Sequence, residues 1–519
     1  MSLESASEPF IKQSLEQFLI VLAVSLSVAT ASRIFSWLRQ IPYTLLLVIV
    51  GLGLAFLNIP LVKLSPELIL EIFLPPLLFE AAWNCPWKGL KADFLPIFLF
   101  AVVGVVIAVF GVALPLHQFT SLSLITCLLI GASLSATDPV SVIAVFKELG
   151  VPKRLLVLTE GESLFNDGVA VVAFVILVSI PLGNKELSAV SVIIDVLKFA
   201  GLGIAAGCLV GFGISYLTQR VDIPLVEQSL TLMAAYGSYI IAENVGGSGV
   251  IASVVVGLVL GNFGSKIGMS PRTRLTVTEF WEFLAFFVNS IVFLLIGTQI
   301  NITELIGDLD LIVITIAAVV LGRLLIILGL ANLSNLFASN PINIKEQTIL
   351  WWGGLRGSIS IALALSIPVI LPDRQHLINV VFGVVLFTLL VQGLSINWLL
   401  NKLGLIGDQP LRQSFMELVA RQSALKKMLD FLDKTKIAPD SDKSLISQEQ
   451  QLIAGKLKTV EEEMQKLNID NPELRPFLTR ELRKTLLDIE AETYAQFISA
   501  GKLTKNPSTI MQEIMLEND

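Results

Sequence analysis

A small group of polar residues, set in apolar sequence, has the types and the spacing of a cation site. Ser163 and Asp167 are four residues apart, which places them on one face of a helix, and Glu162 and Asn166 lie on the adjoining face. Carboxylate, hydroxyl and carbonyl oxygens are the ligands that hard cations prefer. Removal from water favours the protonated form of a carboxyl group. One aspartate can then hold either a proton or a cation, which is the chemistry of an exchanger.

Two other apolar stretches carry signs of an interrupted helix. In the first, Pro139 follows Thr137 and Asp138, and proline removes a backbone donor and clashes with the preceding turn. In the second, Arg356 is surrounded by three glycines, namely Gly353, Gly354 and Gly357. A simple proline kink is one explanation of the first stretch. The other is an unwound segment whose free carbonyls and half-helix ends bind an ion at mid-membrane.

The elements that hold these residues must lie in a membrane, because the chain is too apolar for water. Of its 519 residues, 54% are hydrophobic and 15% charged, and the mean hydropathy is +0.77, whereas soluble domains are about 25% charged. With a net charge of −7 and no long basic run, we expect no nucleic-acid partner. After residue 407, 35 of 112 residues are charged, against 44 of 407 before it. A soluble enzyme is excluded, and we expect a transmembrane domain over 1–407 and a cytoplasmic helical tail over 408–519.

The apolar stretches are long enough to span a bilayer, which takes about 20 residues per helix. We predict an all-α polytopic membrane protein with about thirteen spans, with twelve or fourteen as the alternatives. The spans are expected near 16–37, 41–59, 66–83, 94–116, 121–148, 155–181, 189–217, 225–244, 248–263, 279–300, 309–334, 346–370 and 376–404. The interrupted spans are the fifth and the twelfth, an odd number of crossings apart, so they run in opposite directions. Interrupted helices in inverted repeats are the best sequence indication of a transporter site.

The short loops differ in basic charge, which predicts the orientation. With the N-terminus outside, thirteen Lys and Arg residues fall in inside loops and four in outside loops, and cytoplasmic loops normally carry the excess. We therefore expect an outside N-terminus and a cytoplasmic C-terminus. The N-terminal segment is acidic rather than basic, so the first apolar stretch is expected to be a retained span and not a signal peptide.

Six charged residues are good candidates for positions in the membrane, where a charge at the centre of a helix costs about 3 kcal/mol on insertion scales. They are Glu80, Asp138, Glu162, Asp167, Arg323 and Arg356. A structural ion pair or a misplaced span end would explain one such residue, but not all six together. We therefore expect most of them to face a cavity or a partner.

Four segments carry a resemblance to a known family: FLPPLLFEAA, SATDPVSV, TEGESLFNDGVAVV and GGLRGSISIALALS. Over about residues 15–405 the chain resembles the bacterial NhaP-type Na+/H+ antiporters of the monovalent cation:proton antiporter-1 family. The resemblance implies a homodimer in the lipid bilayer that works by elevator-like alternating access. It implies a core bundle near 94–181 and 309–404, in which the broken helices cross, and a dimerisation scaffold near 16–83 and 189–300. It implies no cofactor besides the transported Na+ and H+.

The same motifs imply which residues bind the ions. Asp167 is expected to bind the cation and the proton in turn. The residues expected to hold Na+ (or Li+) are Asp167, Asp138, Thr137 and Ser163. Glu80 is expected to contribute to the site directly or through water.

Four further residues are expected to support the site. Glu162 and Asn166 would be structural members of it, and a buried charge such as Glu162 needs a partner. Arg323 is the first choice for that partner because its separation from Asn166 fits the core arginine of the family. Arg356 is the second choice, and it is alternatively expected to neutralise the half-helix ends of the twelfth span.

The pair Asn166-Asp167 bears on stoichiometry. Electrogenic relatives carry two adjacent aspartates at this place, so the loss of one titratable group implies one proton per Na+ and electroneutral exchange. Asn289 stands where the animal exchangers would have an acidic residue. The resemblance therefore favours the bacterial branch and the inner membrane of a bacterial cell.

Three other functions fit parts of the sequence. An ion channel also needs polar residues at mid-membrane, and a K+/H+ exchanger of the same fold would use nearly the same ligands. An intramembrane serine protease is the alternative from the enzyme class, because residues 246–249 read GGSG. A serine nucleophile needs a base, however, and His117 and His376 both lie near the ends of spans. We therefore expect no enzyme activity.

The tail carries two apolar stripes at helical spacing. The first is formed by Ile453, Leu457, Val460, Met464 and Leu467, which is about two heptads of a coiled-coil pattern. The second is formed by Leu474, Leu478, Leu482 and Leu486. Either the tail is an independent small helical bundle, or it is a regulatory or dimer-supporting domain, and its partner cannot be identified from the sequence.

Overall fold

The computed structural model describes residues 4–471 except for short stretches at 36–37, 39–40, 58–60, 62–63, 183–188, 221–222, 266–267, 339, 372, 407–408 and 436–442. Every regular element among the described residues is a helix, which confirms the all-α prediction. The chain divides into two compact units, Met1–Ile406 and Gly407–Asp519.

The first unit is built from helices that we number in chain order. They are α1 (Glu4–Ile34), α2 (Tyr43–Phe56), α3 (68–84), α4 (Trp87–Ala92), α5 (Phe94–Phe119), α6 (Leu124–Ser133), α7 (Val140–Leu149), α8 (Lys153–Ser179), α9 (Ala189–Thr218), α10 (Pro224–Asn244), α11 (Gly249–Gly264), α12 (Pro271–Gln299), α13 (Ile302–Gly307), α14 (Leu309–Asn335), α15 (Ile344–Trp352), α16 (Ser358–Leu365) and α17 (Arg374–Leu403).

Seven of these helices are long and apolar enough to cross a membrane: α1, α5, α8, α9, α12, α14 and α17. Three others, α2, α6 and α11, are apolar but shorter. Each of the thirteen predicted spans contains helix, and the fifth and twelfth consist of two halves each, α6 with α7 and α15 with α16. The exact number of crossings stays a prediction.

The two broken spans cross at their interruptions. Residues 134–139 separate α6 from α7, and residues 353–357 separate α15 from α16. The backbone N–H of Asp138 donates to the carbonyl of Leu355 at 2.8 Å, so the two unwound segments are joined directly. A Cβ atom at position 357 would overlap the carboxylate of Asp138. The close approach of the two unwound segments therefore requires a glycine at position 357.

The helices of the predicted scaffold pack closely through small residues. A Cβ atom on Gly51 of α2 or on Gly297 of α12 would overlap the backbone of the other helix. Gly257 and Gly261 of α11 lie equally close to the backbone of α3. Small residues that let backbones meet are the usual means of helix association in membranes, so these helix pairs are tightly joined.

A side-chain contact of an aspartate ties the first helix to the third in each of the two three-helix segments that contain a broken span. Asp93, just before α5, accepts from Nη2 of Arg154 in the first turn of α8 at 2.8 Å. Asp308, just before α14, lies 2.6 Å from Nδ1 of His376 in the first turn of α17. The backbone angles at the two aspartates are nearly equal, φ −108° and ψ 26° at Asp93 and φ −108° and ψ 20° at Asp308. The two segments are thus built alike, as inverted repeats require.

The second unit begins with a helical hairpin of α18 (Gln409–Thr435) and α19 (Lys443–Asp470). Gln422 on α18 donates to Glu461 on α19 at 2.9 Å, and Lys426 lies 3.7 Å from the same carboxylate. The first apolar stripe of the tail faces α18, and Val460 at its centre is buried. The stripe therefore packs within the unit. The second stripe, Leu474, Leu478, Leu482 and Leu486, lies outside the described residues.

Candidate ion-binding site

The carboxylate of Asp138 lies at the crossing of the broken helices. Its Oδ1 accepts a hydrogen bond from the N–H of Val140 at 3.1 Å, in the first turn of α7. The N–H of Ser358, at the start of α16, faces the same carboxylate. Helix N-termini carry partial positive charge. Asp138 therefore compensates two half-helix ends at once.

The guanidinium of Arg356 compensates the opposite kind of helix end. Its Nη1 donates to the carbonyls of Ser135 at 3.0 Å and Ala136 at 2.9 Å, just beyond the C-terminus of α6. Its backbone N–H donates to Oγ1 of Thr388 at 3.1 Å, in a π-helical turn of α17. Neutralisation of the half-helix ends of the twelfth span by Arg356 stays a prediction, because these side-chain hydrogen bonds go to the fifth span. The crossing brings its side chain to the fifth span instead.

Glu162 on α8 forms its ion pair with Arg323 on α14. Oε1 accepts from Nη1 at 2.8 Å and Oε2 from Nη2 at 3.2 Å, and the Glu162 side chain is only 4% exposed. Arg323 also donates from Nη2 to the carbonyl of Leu350 at 2.9 Å and from Nε to that of Trp351 at 3.2 Å. Of the two arginines considered from the sequence, Arg323 is thus the partner. It ties α8, α14 and the end of α15 together.

Two polar side chains on α8 hold Thr137 in the unwound segment. The hydroxyl of Ser163 donates to the Thr137 carbonyl in a short hydrogen bond. Nδ2 of Asn166 donates to the Thr137 hydroxyl at 2.6 Å, and Oδ1 of Asn166 accepts from the Thr137 N–H at 3.4 Å. Both the NH2 group and the oxygen of the Asn166 amide are therefore hydrogen-bonded to Thr137, which fits the expectation that Asn166 is a structural member of the site.

Asp167 has a buried carboxylate oxygen without a partner in the part of the chain that the structure describes. The residue is 6% exposed, and its Oδ1 has no hydrogen-bond partner among the described residues. Buried polar atoms are nearly always paired. An unpaired oxygen on a buried carboxylate that lines a cavity indicates a place where something else binds.

A cavity of about 620 Å³ brings the expected ligands together. It is lined by all five residues that the sequence proposed for ion binding: Asp167, Asp138, Thr137, Ser163 and Glu80. Glu80 reaches it from α3, where it accepts from Nδ2 of Asn84 at 2.6 Å. Glu162, Arg323 and Arg356 do not line it. Together with Asn166 they surround a separate cavity of about 20 Å³.

Four cavity-lining residues were missed as site candidates: Glu160, Glu282, Asn289 and Lys147. Glu160 and Glu282 lie inside predicted spans, so the cost of a charge in the membrane could have indicated them. Lys147 falls at the end of the predicted span 121–148 and is one of the thirteen basic residues assigned to the inside face. Nothing in the sequence places it against the cavity.

The GGSG stretch has a structural role. Ser248 is the N-cap residue of α11, and its hydroxyl accepts from the N–H of Ile251 at 3.3 Å. His117 contacts the carbonyl of Leu122, and His376 pairs with Asp308. Ser248 is therefore a helix cap, and the contacts of the two histidines lie elsewhere.

Broken helices of inverted repeats that cross at buried ionisable residues define the class of secondary transporters. Residues 22–402 match the family model described as sodium/hydrogen exchanger, transmembrane. The chain therefore belongs to the sodium/hydrogen exchanger family, and it is a multi-pass membrane protein.

Similar proteins agree with this assignment. The chain is 58% identical to the Na(+)/H(+) antiporter ApNhaP of Aphanothece halophytica, over 99% of both chains. It is 55% identical to the low-affinity Na(+)/H(+) antiporter NhaS1 of Synechocystis, over 98% of this chain and 97% of the relative. The solved structure of the sodium proton antiporter MjNhaP1 from Methanocaldococcus jannaschii at pH 8 has the same fold. It matches with a TM-score of 0.60 and 20% identity, over 75% of this chain and 99% of that one.

Proposed function

We propose that the chain is a secondary-active antiporter that exchanges Na+ (or Li+) for H+. The observation that carries this proposal is the buried carboxylate of Asp167, with an unpaired oxygen on the large cavity. An isolated buried charge is strongly unfavourable, so this carboxylate is expected to hold either a proton or a cation. The names of the similar antiporters, ApNhaP and NhaS1, support the choice of ions.

The residues around Asp167 offer oxygen ligands to a cation that replaces the proton. The carbonyl of Thr137 and the hydroxyl of Ser163 are hydrogen-bonded to each other, but each oxygen keeps a lone pair for an ion. Asp138 contributes a second carboxylate, and Glu80 lies on the same cavity. Cation binding expels the proton from Asp167, and proton binding expels the cation. This competition couples the two fluxes.

The position of the cavity supports alternating access. Its lining comes from α3 and α12 of the proposed scaffold (16–83 and 189–300) and from α7, α8 and α16 of the proposed core (94–181 and 309–404). A movement of the core along the scaffold would close the cavity on one side and carry the site to the other. We propose that this elevator-like movement occurs in each protomer of a homodimer.

The setting of the protein follows from the same proposal. It lies in the inner membrane of a bacterial cell, with the N-terminus outside and the C-terminus in the cytoplasm. Lys147, at the predicted inside end of the span 121–148, lines the cavity, so the cavity opens to the cytoplasm in this orientation. The tail over 408–519 is a cytoplasmic domain.

The test is an exchange assay in everted membrane vesicles from a host without antiporters of its own. A pH-sensitive dye reports proton movement when Na+, Li+ or K+ is added across a range of pH. We expect Na+ and Li+ to release protons and K+ to have little effect. Release by K+ alone would show the K+/H+ exchanger of the same fold. Cation flux without proton counter-movement would show a channel and contradict the proposal.

A further inference from the structure

The mouth of the large cavity holds one basic side chain among several acidic ones. Five carboxylates line the cavity, those of Glu80, Asp138, Glu160, Asp167 and Glu282, and among the described lining residues Lys147 is the only basic one. Lys147 belongs to the last turn of α7, and its side chain is 62% exposed. It is not one of the residues that hold the ion.

The ammonium group of Lys147 lies beside a carboxylate on the lining of the cavity. Its Nζ is 3.9 Å from Oε1 of Glu160, whose side chain is 18% exposed. The charges that act on Glu80 across the cavity are those of Lys147, Glu160 and Glu282. A cleft lined by charge of one sign raises the local concentration of the opposite ion. The positive charge of Lys147 in that cleft lowers the local concentration of cations, and it pairs with the carboxylate of Glu160.

We propose that the positive charge of Lys147 competes with the transported cation at the mouth of the cavity. It thereby sets a low apparent affinity for that cation on the side to which the cavity opens. It does so by neutralising Glu160 and repelling cations at the mouth, and it leaves the ligands at Asp167 untouched. This inference rests on the proposed antiport function. According to this inference, Lys147 controls the KM for the cation but not the maximal rate, although it lies outside the ion site.

The direct test is Lys147→Gln in everted vesicles, where the added Na+ meets the cytoplasmic face. At low ionic strength we expect the apparent KM for Na+ to fall by about threefold or more, with the maximal rate within about twofold of the original, because removal of a charge in a cleft acts on local ion concentration. Adding an impermeant salt should shrink the difference, since screening weakens charges beyond about 10 Å at 0.1 M.

Three matched variants separate charge from structure. Lys147→Arg keeps the charge and should keep the original KM. Lys88→Gln removes an exposed cation that does not line the cavity and should leave KM unchanged. Lys147→Gln combined with Glu160→Gln restores the net charge of the mouth, so its KM should return towards the original value.

The outcomes distinguish this inference from the proposed function. If the unmodified protein shows no cation-dependent proton movement, the antiport proposal fails. If the unmodified protein exchanges but Lys147→Gln has the original KM at low ionic strength, only the role of Lys147 is refuted. An equal change of KM in Lys88→Gln or in Lys147→Arg would also overturn it.

Discussion

Two aspartates at the helix crossing share a cavity but have different surroundings. The carboxylate of Asp138 accepts from the N–H of Val140 and faces the N-terminal ends of two half-helices. One oxygen of Asp167 has no partner among the residues described. Partial positive charge at helix N-termini favours a carboxylate there, so the oxygens of Asp138 are already engaged by the two half-helices. The exchange of ligand is therefore expected at Asp167.

The first prediction is that Asp167→Asn abolishes exchange without preventing folding. An amide has nearly the same shape as a carboxylate, but it can neither release a proton nor compensate a cation. Dye dequenching in everted vesicles should fall to background, with an unchanged amount of protein in the membrane. Asp310→Asn, which removes an exposed carboxylate at the start of α14, is the matched control and should exchange normally. Dequenching by Asp167→Asn at the original rate would contradict the role of Asp167.

The second prediction concerns the buried ion pair of Glu162 and Arg323. Glu162→Gln leaves the guanidinium without its counter-charge, and breaking a buried pair typically costs about 3–5 kcal/mol. We expect the lower end of that range, because the carbonyls of Leu350 and Trp351 remain bonded to Arg323. The midpoint of thermal unfolding in detergent should fall clearly, and the KM for Na+ should change little.

The control for this variant is Glu417→Gln. It breaks the exposed pair with Arg421 on α18, and exposed pairs contribute about 0–1 kcal/mol. An unfolding midpoint of Glu162→Gln equal to that of the original protein would show that the pair is not structural.

At the scale of elements, the two three-helix segments position the site through their crossing. Each segment has an aspartate contact between its first and third helix, the ion pair of Asp93 with Arg154 and the hydrogen bond of Asp308 with His376. The outer helices of each segment are thus held at one end while the middle helix is broken. The unwound residues can then supply carbonyls and N–H groups to the site without loosening the bundle.

The third prediction tests the closeness of the crossing. Gly357→Ala would place a Cβ atom against the carboxylate of Asp138, and overpacking typically costs about 1–3 kcal/mol. Because the crossing must shift to accept it, we expect exchange to fall at least about tenfold in the vesicle assay. Gly329→Ala on α14 is the control, since nothing lies within 4 Å of its added Cβ atom. Full activity of Gly357→Ala would show that the crossing can accommodate a Cβ atom at this position.

Part of this arrangement could be predicted from the sequence. Pro139 and the glycines around Arg356 indicated the two interruptions, and the polar face of α8 indicated Ser163 and Asp167. The contacts of Arg356 could not be predicted, because they depend on which unwound segment lies over the other. The position of Lys147 on the cavity could not be predicted from the sequence for the same reason. Local patterns show where a helix breaks, but not what its broken ends meet in the fold.

At the scale of the whole molecule, the two compact units have different compositions and separate cores. The membrane unit holds the site, and the hairpin of α18 and α19 buries its own apolar stripe. We therefore predict that deletion of 408–519 leaves a folded exchanger whose maximal rate is within about twofold of the original, because a compact unit with its own hydrophobic core can fold alone. Rates measured from acid to alkaline pH check this. A changed pH profile would show a regulatory tail, and loss of exchange would contradict the prediction.

The fifth prediction is that a membrane potential does not drive the exchange. Asn166 cannot titrate, and both ends of its amide are bonded to Thr137. One carboxylate then carries either one proton or one Na+, so the site has the same charge in both loaded forms. In proteoliposomes, a potential imposed with K+ and valinomycin should leave the rate unchanged. A rate that follows the imposed potential would contradict one-for-one exchange.

The amide of Asn166 also has a consequence for the energy balance of the cell. If one proton moves for each Na+, net exchange stops when the outside-to-inside concentration ratio of Na+ equals that of protons. The electrical part of the proton-motive force then adds nothing to sodium extrusion. In a medium more alkaline than the cytoplasm, the same exchange would run Na+ inward whenever the outside-to-inside ratio of Na+ exceeds that of protons. Under one-for-one exchange, extrusion of Na+ against its gradient would therefore require a medium more acidic than the cytoplasm.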